Sequence, residues 1–215
     1  MAEAGVVVRI LLVDDHAVVR AGYRRFLEQE RGYRVVAEAA GGEEAYSLLK
    51  LETPDIVILD LSMPDRGGLP TLHRVRLRWP LLPVLVCSMH DNLAFAVQAL
   101  RAGANGYVTK SSEAAVIVSA VRCVMAGGTA LSPDIARKME HAQSVEEQPT
   151  LGLTVREFEV FRLIASGRSH EEIASLLKLS AKTVANNHSL IRQKLGISSD
   201  IELFRLAVTC GAVAE

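Results

Sequence analysis

Through the first 127 residues, five short apolar runs alternate with segments of helical period, and no other feature of the chain limits its fold as tightly. The runs cover residues 9–13, 33–39, 56–59, 84–88 and 106–109. Most are apolar nearly end to end, the pattern of strands covered on both faces by helices. Between them, Val18, Val19, Tyr23, Phe26 and Leu27 recur at helical spacing, and Gly41-Gly42 precedes a helical run to Leu51. Leu69, Leu72, Val75 and Trp79 form a third stripe, closed by Pro80 and Pro83. A fourth helix is expected over residues 92–101, stopped by Gly103, and a fifth over 113–126. Short connections and right-handed crossovers then leave an α/β fold, a doubly wound five-stranded parallel sheet in the flavodoxin-like order 2-1-3-4-5.

With 215 residues, 49% hydrophobic and 23% charged, the chain can bury a full core and is long enough for two ordinary domains. No apolar run reaches the length of a membrane span and no basic leader precedes Val6, so a cytoplasmic protein without a membrane partner is expected. Cys87, Cys123 and Cys210 are odd in number and far apart, which indicates neither a disulfide framework nor a zinc motif; they read as small core residues. A net charge of −1 excludes a chain that is basic all over.

After Gly127-Gly128, Ser132-Pro133-Asp134 reads as the start of a short helix running to about His141. Residues 142–151 lack apolar periodicity and read as a linker. The expected domains are 1–127, a connecting stretch 128–151 with the short helix, and 152–215. The last of these is all-helical. Thr154-Val155-Arg156-Glu157 and Ser169-His170-Glu171-Glu172 are capping boxes, Ser180 caps a helix over 181–195 that ends at Gly196, and a further helix starts near Asp200. From Ile173 to Ser199 there is no acidic residue, while Lys178, Lys182, Arg192, Lys194 and His188 all fall in that window.

The expected sheet order brings the C-terminal ends of strands one and three together, and with them Asp14, Asp15 and Asp60. Clustered carboxylates repel unless a cation sits among them, and an all-oxygen set suits Mg²⁺ or Mn²⁺. Strands four and five deliver Ser88 and Lys110 to the same edge, a hydroxyl and an ammonium that can bind phosphoryl oxygens during transfer to a carboxylate. Each residue alone also has a structural reading: helix cap, turn residue or solvated strand end. Five of the right type, in order, at strand ends point to phosphoryl chemistry.

Asp14-Asp15, Asp60 with Met63-Pro64, Ser88, Tyr107 and Lys110 resemble the signature of a two-component receiver domain over roughly residues 7–127. The resemblance implies that Asp60 is the phospho-acceptor, charged by a sensor histidine kinase. It also implies that Asp15, Asp60 and the Ser62 backbone carbonyl ligate Mg²⁺ directly, with Asp14 acting through water, and that Ser88 and Tyr107 form a switch pair. Ser111 stands where many receivers have proline after the lysine.

In the C-terminal part, helix, short helix, tight turn and basic helix read as a helix-turn-helix with residues 181–195 entering the major groove. Val184, Ile191 and Leu195 form its core stripe, leaving Lys182, Asn186, His188, Ser189, Gln193 and Lys194 outward. Asn and Gln can read adenine edges, and Lys and Arg hold phosphates. Leu153-Thr154, Arg156-Glu157, Val160, Ile164-Ala165, Gly167, Glu172-Ile173-Ala174, Leu179-Ser180, Lys182-Thr183-Val184 and Lys194-Leu195-Gly196 resemble the LuxR-type output domain, and the whole chain a NarL/FixJ-family response regulator. That implies a transcription regulator that binds double-stranded DNA through Lys182, Thr183, Asn186, Asn187, His188, Ser189, Arg192 and Lys194, as a homodimer when phosphorylated, with the last helix as a candidate contact. Asn187, Leu190 and Ala185 depart from the residues usual there. Such a regulator is not expected to be an enzyme. Two alternatives stay open at this point: a Mg²⁺-dependent phosphohydrolase working through an aspartyl phosphate, and a regulator whose output domain binds protein.

Overall fold

The computed structural model describes residues 7–63, 68–141 and 149–213. Pro64 and Gly67, and residues 142–148 of the anticipated linker, lie outside them. The chain divides into two compact units, residues 1–89 with 102–133, and residues 90–101 with 134–215.

The first unit holds a parallel sheet of β1 (Val8–Val13), β2 (Tyr33–Ala39), β3 (Ile56–Leu59), β4 (Val84–Ser88), β5 (Gly106–Thr109) and β6 (Ala130–Leu131). Strand order is β2-β1-β3-β4-β5-β6, so the expected order stands but the sheet has six strands, not five. The sixth is two residues long and carries no alternation to read; the open edge of β5 recruits it. Strands β3, β4 and β5 are buried at every position, which is why their sequences are continuous apolar runs. Helix α1 (Ala17–Gln29), α2 (Gly42–Leu51), α3 (Gly68–Arg78) and α5 (Ala114–Met125) belong to this unit. Ile10, Leu12, Leu27, Ile58, Leu85, Val108, Ile117 and Val121 pack into one core. On α5, Ile117, Ala120, Val121 and Val124 are buried in that core, while Cys123 is exposed, so only Cys87 of the cysteines is a buried core residue.

A guanidinium supports β5 from below. Arg76 donates to the Gly103 carbonyl at 2.6 Å and to Asn105 Oδ1 at 2.6 Å, and that same oxygen accepts the Val84 N–H at 2.9 Å. One side chain thereby fixes the starts of β4 and β5.

In the second unit, α4 (Leu93–Arg101) packs with α7 (Val155–Ala165), beside α6 (Pro133–His141), α8 (His170–Leu177), α9 (Ala181–Leu195) and α10 (Asp200–Thr209). Phe95 meets Phe158 edge to face at 5.2 Å, and the buried Gln98 donates to the Leu153 carbonyl at 2.9 Å. Both capping boxes read from the sequence are formed, at Thr154/Glu157 and Ser169/Glu172. The turn between α8 and α9 places Lys178 in the left-handed region at φ 53°, and Gly196 ends α9 in the same conformation.

Glu159 is 5% exposed on α7. Its Oε2 meets Arg156 at 3.0 Å, but Oε1 finds no hydrogen-bond partner among the described residues. Burial, opposed by Arg156 and Arg162, raises its pKa to about 7. The folded state therefore binds this proton more tightly than the unfolded chain. Its contribution to stability is full below the ordinary glutamate pKa and is lost as pH rises through about 7. Glu159→Gln is expected to stabilise the protein by about 2–3 kcal/mol at pH 8 and by nothing near pH 4, a difference read by urea unfolding followed in far-UV circular dichroism.

Candidate functional site

Register builds an acidic pocket at the C-terminal edge of the sheet. Val13 pairs with Leu59 and Ser88 with Thr109, so the next residue of each strand emerges beside its neighbour. The Asp60 N–H continues the ladder to the Val13 carbonyl at 2.8 Å, and the Lys110 N–H donates to the Ser88 carbonyl at 2.8 Å. Asp14, Asp60 and Lys110 thus converge because of strand pairing alone.

Their side chains are almost wholly withdrawn from solvent, with Asp60 1% and Asp14 3% exposed. Lys110 Nζ lies 2.6 Å from Asp14 Oδ2 and 2.7 Å from Asp60 Oδ2. The other oxygen of each carboxylate is held by a local turn: Asp14 Oδ1 accepts the His16 N–H at 2.8 Å, and Asp60 Oδ1 accepts the Ser62 N–H at 2.9 Å. Asp15 is less buried and its Oδ1 sits 3.0 Å from His16 Nδ1. Oxygens of Asp14, Asp15 and Asp60 and a nitrogen of His16 all lie within 4.8 Å of one another. Burial raises the Asp60 pKa, with Lys110 and the Ser62 amide opposing it. Burial acts to lower the Lys110 pKa, but hydrogen bonds to Asp14 and Asp60 outweigh it and hold the ammonium charged above the usual lysine range. One cation is therefore shared by two buried anions, with a third carboxylate adjacent. The three carboxylates alone supply an oxygen donor set with an excess of negative charge, and that fits a hard divalent cation.

Ser88 and Tyr107, from β4 and β5, are fully buried near this edge. Every described peptide bond is trans, including that between Lys110 and Ser111. Two supports of the pocket had no evident sequence signal. Arg20 donates to the Asp14 carbonyl at 2.5 Å and pairs with Glu38 at 3.3 Å, bracing the β1 to α1 loop. Gly68 could carry no side chain, since a Cβ there would stand 2.3 Å from the Asp60 carbonyl oxygen. Beneath the pocket, Cys87 is buried and its thiol is pushed up to about 12.

The second constellation is α9. Ser180 caps it by accepting the Thr183 N–H at 3.0 Å, and Val184 and Ile191 are buried as the stripe predicts. Lys182, Thr183, Asn186 and Ser189 are exposed. Three of the remaining expected contacts are engaged within the unit. His188 Nε2 meets Asp200 on α10 at 2.9 Å, and its Nδ1 meets His170 on α8 at 3.2 Å. Asn187 donates to the Thr183 carbonyl at 2.8 Å. Lys194 reaches Glu157 at the start of α7 at 2.7 Å, and despite burial this ion pair and the Thr154 cap hold the Glu157 carboxyl below its usual range. Arg192 is half-buried.

Residues 10–122 match the model for the response regulator receiver domain, and residues 151–207 that for bacterial regulatory proteins of the luxR family. The chain is 41% identical over 206 residues to the transcriptional activator protein ExaE of Pseudomonas putida, covering 94% of this chain and 96% of that one. Response regulator UvrY of Escherichia coli (strain K12) is 35% identical over 207 residues, 95% of each chain. Among solved structures, RcsB of Salmonella enterica serovar Typhimurium, bound to promoter P1flhDC with the phosphomimetic BeF3-, superposes with a TM-score of 0.79. Its identity is 27%, and the match covers 94% of this chain and 98% of RcsB.

Proposed function

Because the chain belongs to the NarL/FixJ-family response regulators, with a receiver domain ahead of a LuxR-type DNA-binding domain, we propose that Asp60 accepts a phosphoryl group from a sensor histidine kinase and that this changes the protein's affinity for DNA. The observation that supports this most is Lys110 bonded at once to Asp14 and Asp60 in a buried pocket. Asp60 Oδ2 attacks phosphorus, the P–N bond of the kinase phosphohistidine breaks, and its electron pair returns to the imidazole. Lys110 leaves the carboxylate for a phosphoryl oxygen, and the Ser88 hydroxyl donates to another. Tyr107, on the neighbouring strand, follows. Asp15, Asp60 and the Ser62 carbonyl would hold a Mg²⁺ or Mn²⁺, with Asp14 acting through water, and the ion would neutralise charge on the phosphoryl oxygens.

The functional division runs 1–127 for the receiver, 128–151 for the connection and 152–215 for the output domain. Lys182, Thr183, Asn186 and Ser189 present the open face of α9 to the major groove. Asn187, His188 and Lys194 complete the contact surface or set the pose of the helix through the bonds described, and Arg192 completes the contact surface. Ile201 and Phe204, 67% and 44% exposed on α10, supply apolar surface for a homodimer. Among the described residues no helix is long and apolar enough to cross a membrane. The proposed setting is the cytoplasm and the proposed role is regulatory, not catalytic.

Acetyl phosphate with Mg²⁺ tests the chemistry. One acid-labile phosphoryl group per chain supports the regulator; many turnovers per chain would make the protein a phosphohydrolase. On genomic fragments that the protein enriches, Lys182→Ala is expected to weaken binding evenly across sequences and to make the salt slope shallower by about one. Asn186→Ala is expected to cost about 1–3 kcal/mol on the preferred sequence and to relax that preference. Fluorescence anisotropy at several salt concentrations reads both. Binding that did not weaken with salt would point to a protein-binding output domain instead.

A further inference from the structure

Strand β5 carries Tyr107 and ends one residue before Lys110, and its outer edge is strapped by β6. The pairing is parallel, Gly106 with Ala130 and Tyr107 with Leu131. The Ala130 N–H donates to the Asn105 carbonyl at 3.2 Å, and the Ser132 N–H donates to the Tyr107 carbonyl at 3.0 Å. Ser132 is completely buried, and its hydroxyl turns back to accept the Thr109 N–H at 3.3 Å. The amide immediately before Lys110 therefore rests on a side chain from beyond α5, not on a strand of the receiver sheet that flanks the pocket.

The strap is closely fitted. A Cβ on Gly106 would stand 2.7 Å from the Ala130 carbonyl oxygen and 2.9 Å from Leu85 Cδ1, so only glycine lets β6 lie this near. The Thr109 hydroxyl is itself tied to Ser112 at 3.0 Å and accepts from Ser111 at 3.2 Å, leaving the end of β5 held on both sides. From Ser132 the chain enters α6 at Pro133 with no intervening residue.

We propose that Ser132 is a positioning residue for phosphoryl transfer: through the Thr109 amide it sets the end of β5 and so the reach of Lys110, and β6 is the segment through which the state of the pocket is passed to α6. The proposal rests on the phosphorylation of Asp60 argued above. Its logic is reciprocal. If the strap biases the pose of Lys110, then phosphorylation, which moves Lys110 and Tyr107, must bias the strap by the same free energy. A single hydrogen bond at the long end of the normal range suits that purpose, because it is made or lost with small movements.

Two measurements on the full chain test it. With Ser132→Ala, the rate of phosphorylation by acetyl phosphate at saturating Mg²⁺ is expected to fall about fivefold, the size of one lost hydrogen bond. Mg²⁺ affinity by calorimetry should stay at the wild-type value, because Asp14, Asp15 and Asp60 are untouched; a general loss of structure would lower both. In the wild type, hydrogen exchange at Thr109 and at Ala130–Ser132 should change on phosphorylation, with the mass gain checked in the same sample. A mass gain with unchanged exchange at those amides, and a Ser132→Ala variant that phosphorylates at the wild-type rate, would overturn the strap. No mass gain in the wild type would overturn the Asp60 reading and the strap with it.

Discussion

Asparagine at position 60 is expected to abolish phosphorylation by acetyl phosphate: intact mass shows one phosphoryl group on the wild type and none on Asp60→Asn. The substitution is nearly isosteric, and its remaining carbonyl oxygen can still accept the Ser62 N–H now found at 2.9 Å from Oδ1. What it removes is the anionic oxygen proposed to attack phosphorus. Asp14 and Asp15 cannot substitute at rate, because Asp14 Oδ1 is held by the His16 amide and Asp15 lies beside His16 on the β1 side of the pocket. Residual labelling at the wild-type level would assign the acceptor to another carboxylate.

Lys110→Met is expected to have the second large effect. Two carboxylates at 3% and 1% exposure would lose the one cation they share. Leaving a buried charge unpaired costs about 3–5 kcal/mol, so unfolding at pH 8 should show a loss of that order. Burial already raises the Asp60 pKa, and removing Lys110, which opposes that rise, sends it higher. A raised carboxyl pKa gives stability that is complete below the ordinary aspartate range and lost as pH climbs through the folded value. The deficit of the variant should therefore be small in mild acid and grow toward pH 8. Added Mg²⁺ should recover part of it, since a divalent ion supplies the missing positive charge to the same oxygens. Phosphorylation should slow by about a hundredfold or more, the scale of losing a group aimed at charge that develops during transfer. A variant as stable as the wild type at pH 8 without Mg²⁺ would mean that the two carboxylates are not both ionised in the folded protein.

The sheet was legible because its central strands are buried on both faces, which leaves continuous apolar runs such as Ile56–Leu59 whose ends can be located to a residue. That precision carried over to Asp14, Asp60, Ser88 and Lys110, each placed by the end of a strand. Strand β6 was not legible, since two residues carry no period and only the free edge of β5 gives Ala130 and Leu131 a reason to extend. On α9, helical spacing placed Val184 and Ile191 inward correctly but could not foresee what waits at the ends of neighbouring helices. Asp200 and Glu157 sit in the first turns of α10 and α7, where acids are favoured, and there they engage His188 and Lys194. The packing of α4 with α7 was likewise hidden: Phe95 and Gln98 fit a helix that covers a sheet, and nothing in their spacing points to Phe158 and Leu153.

The link from Asp60 to DNA is tested most directly by binding isotherms on a fragment that the protein itself enriches from genomic DNA, at fixed salt, with and without acetyl phosphate and Mg²⁺. The wild type is expected to change affinity by about tenfold or more on phosphorylation, within the usual range of coupling between two sites, while Asp60→Asn gives one isotherm under both conditions. Identical isotherms for phosphorylated and unphosphorylated wild type, with the phosphoryl group confirmed by mass, would contradict the account.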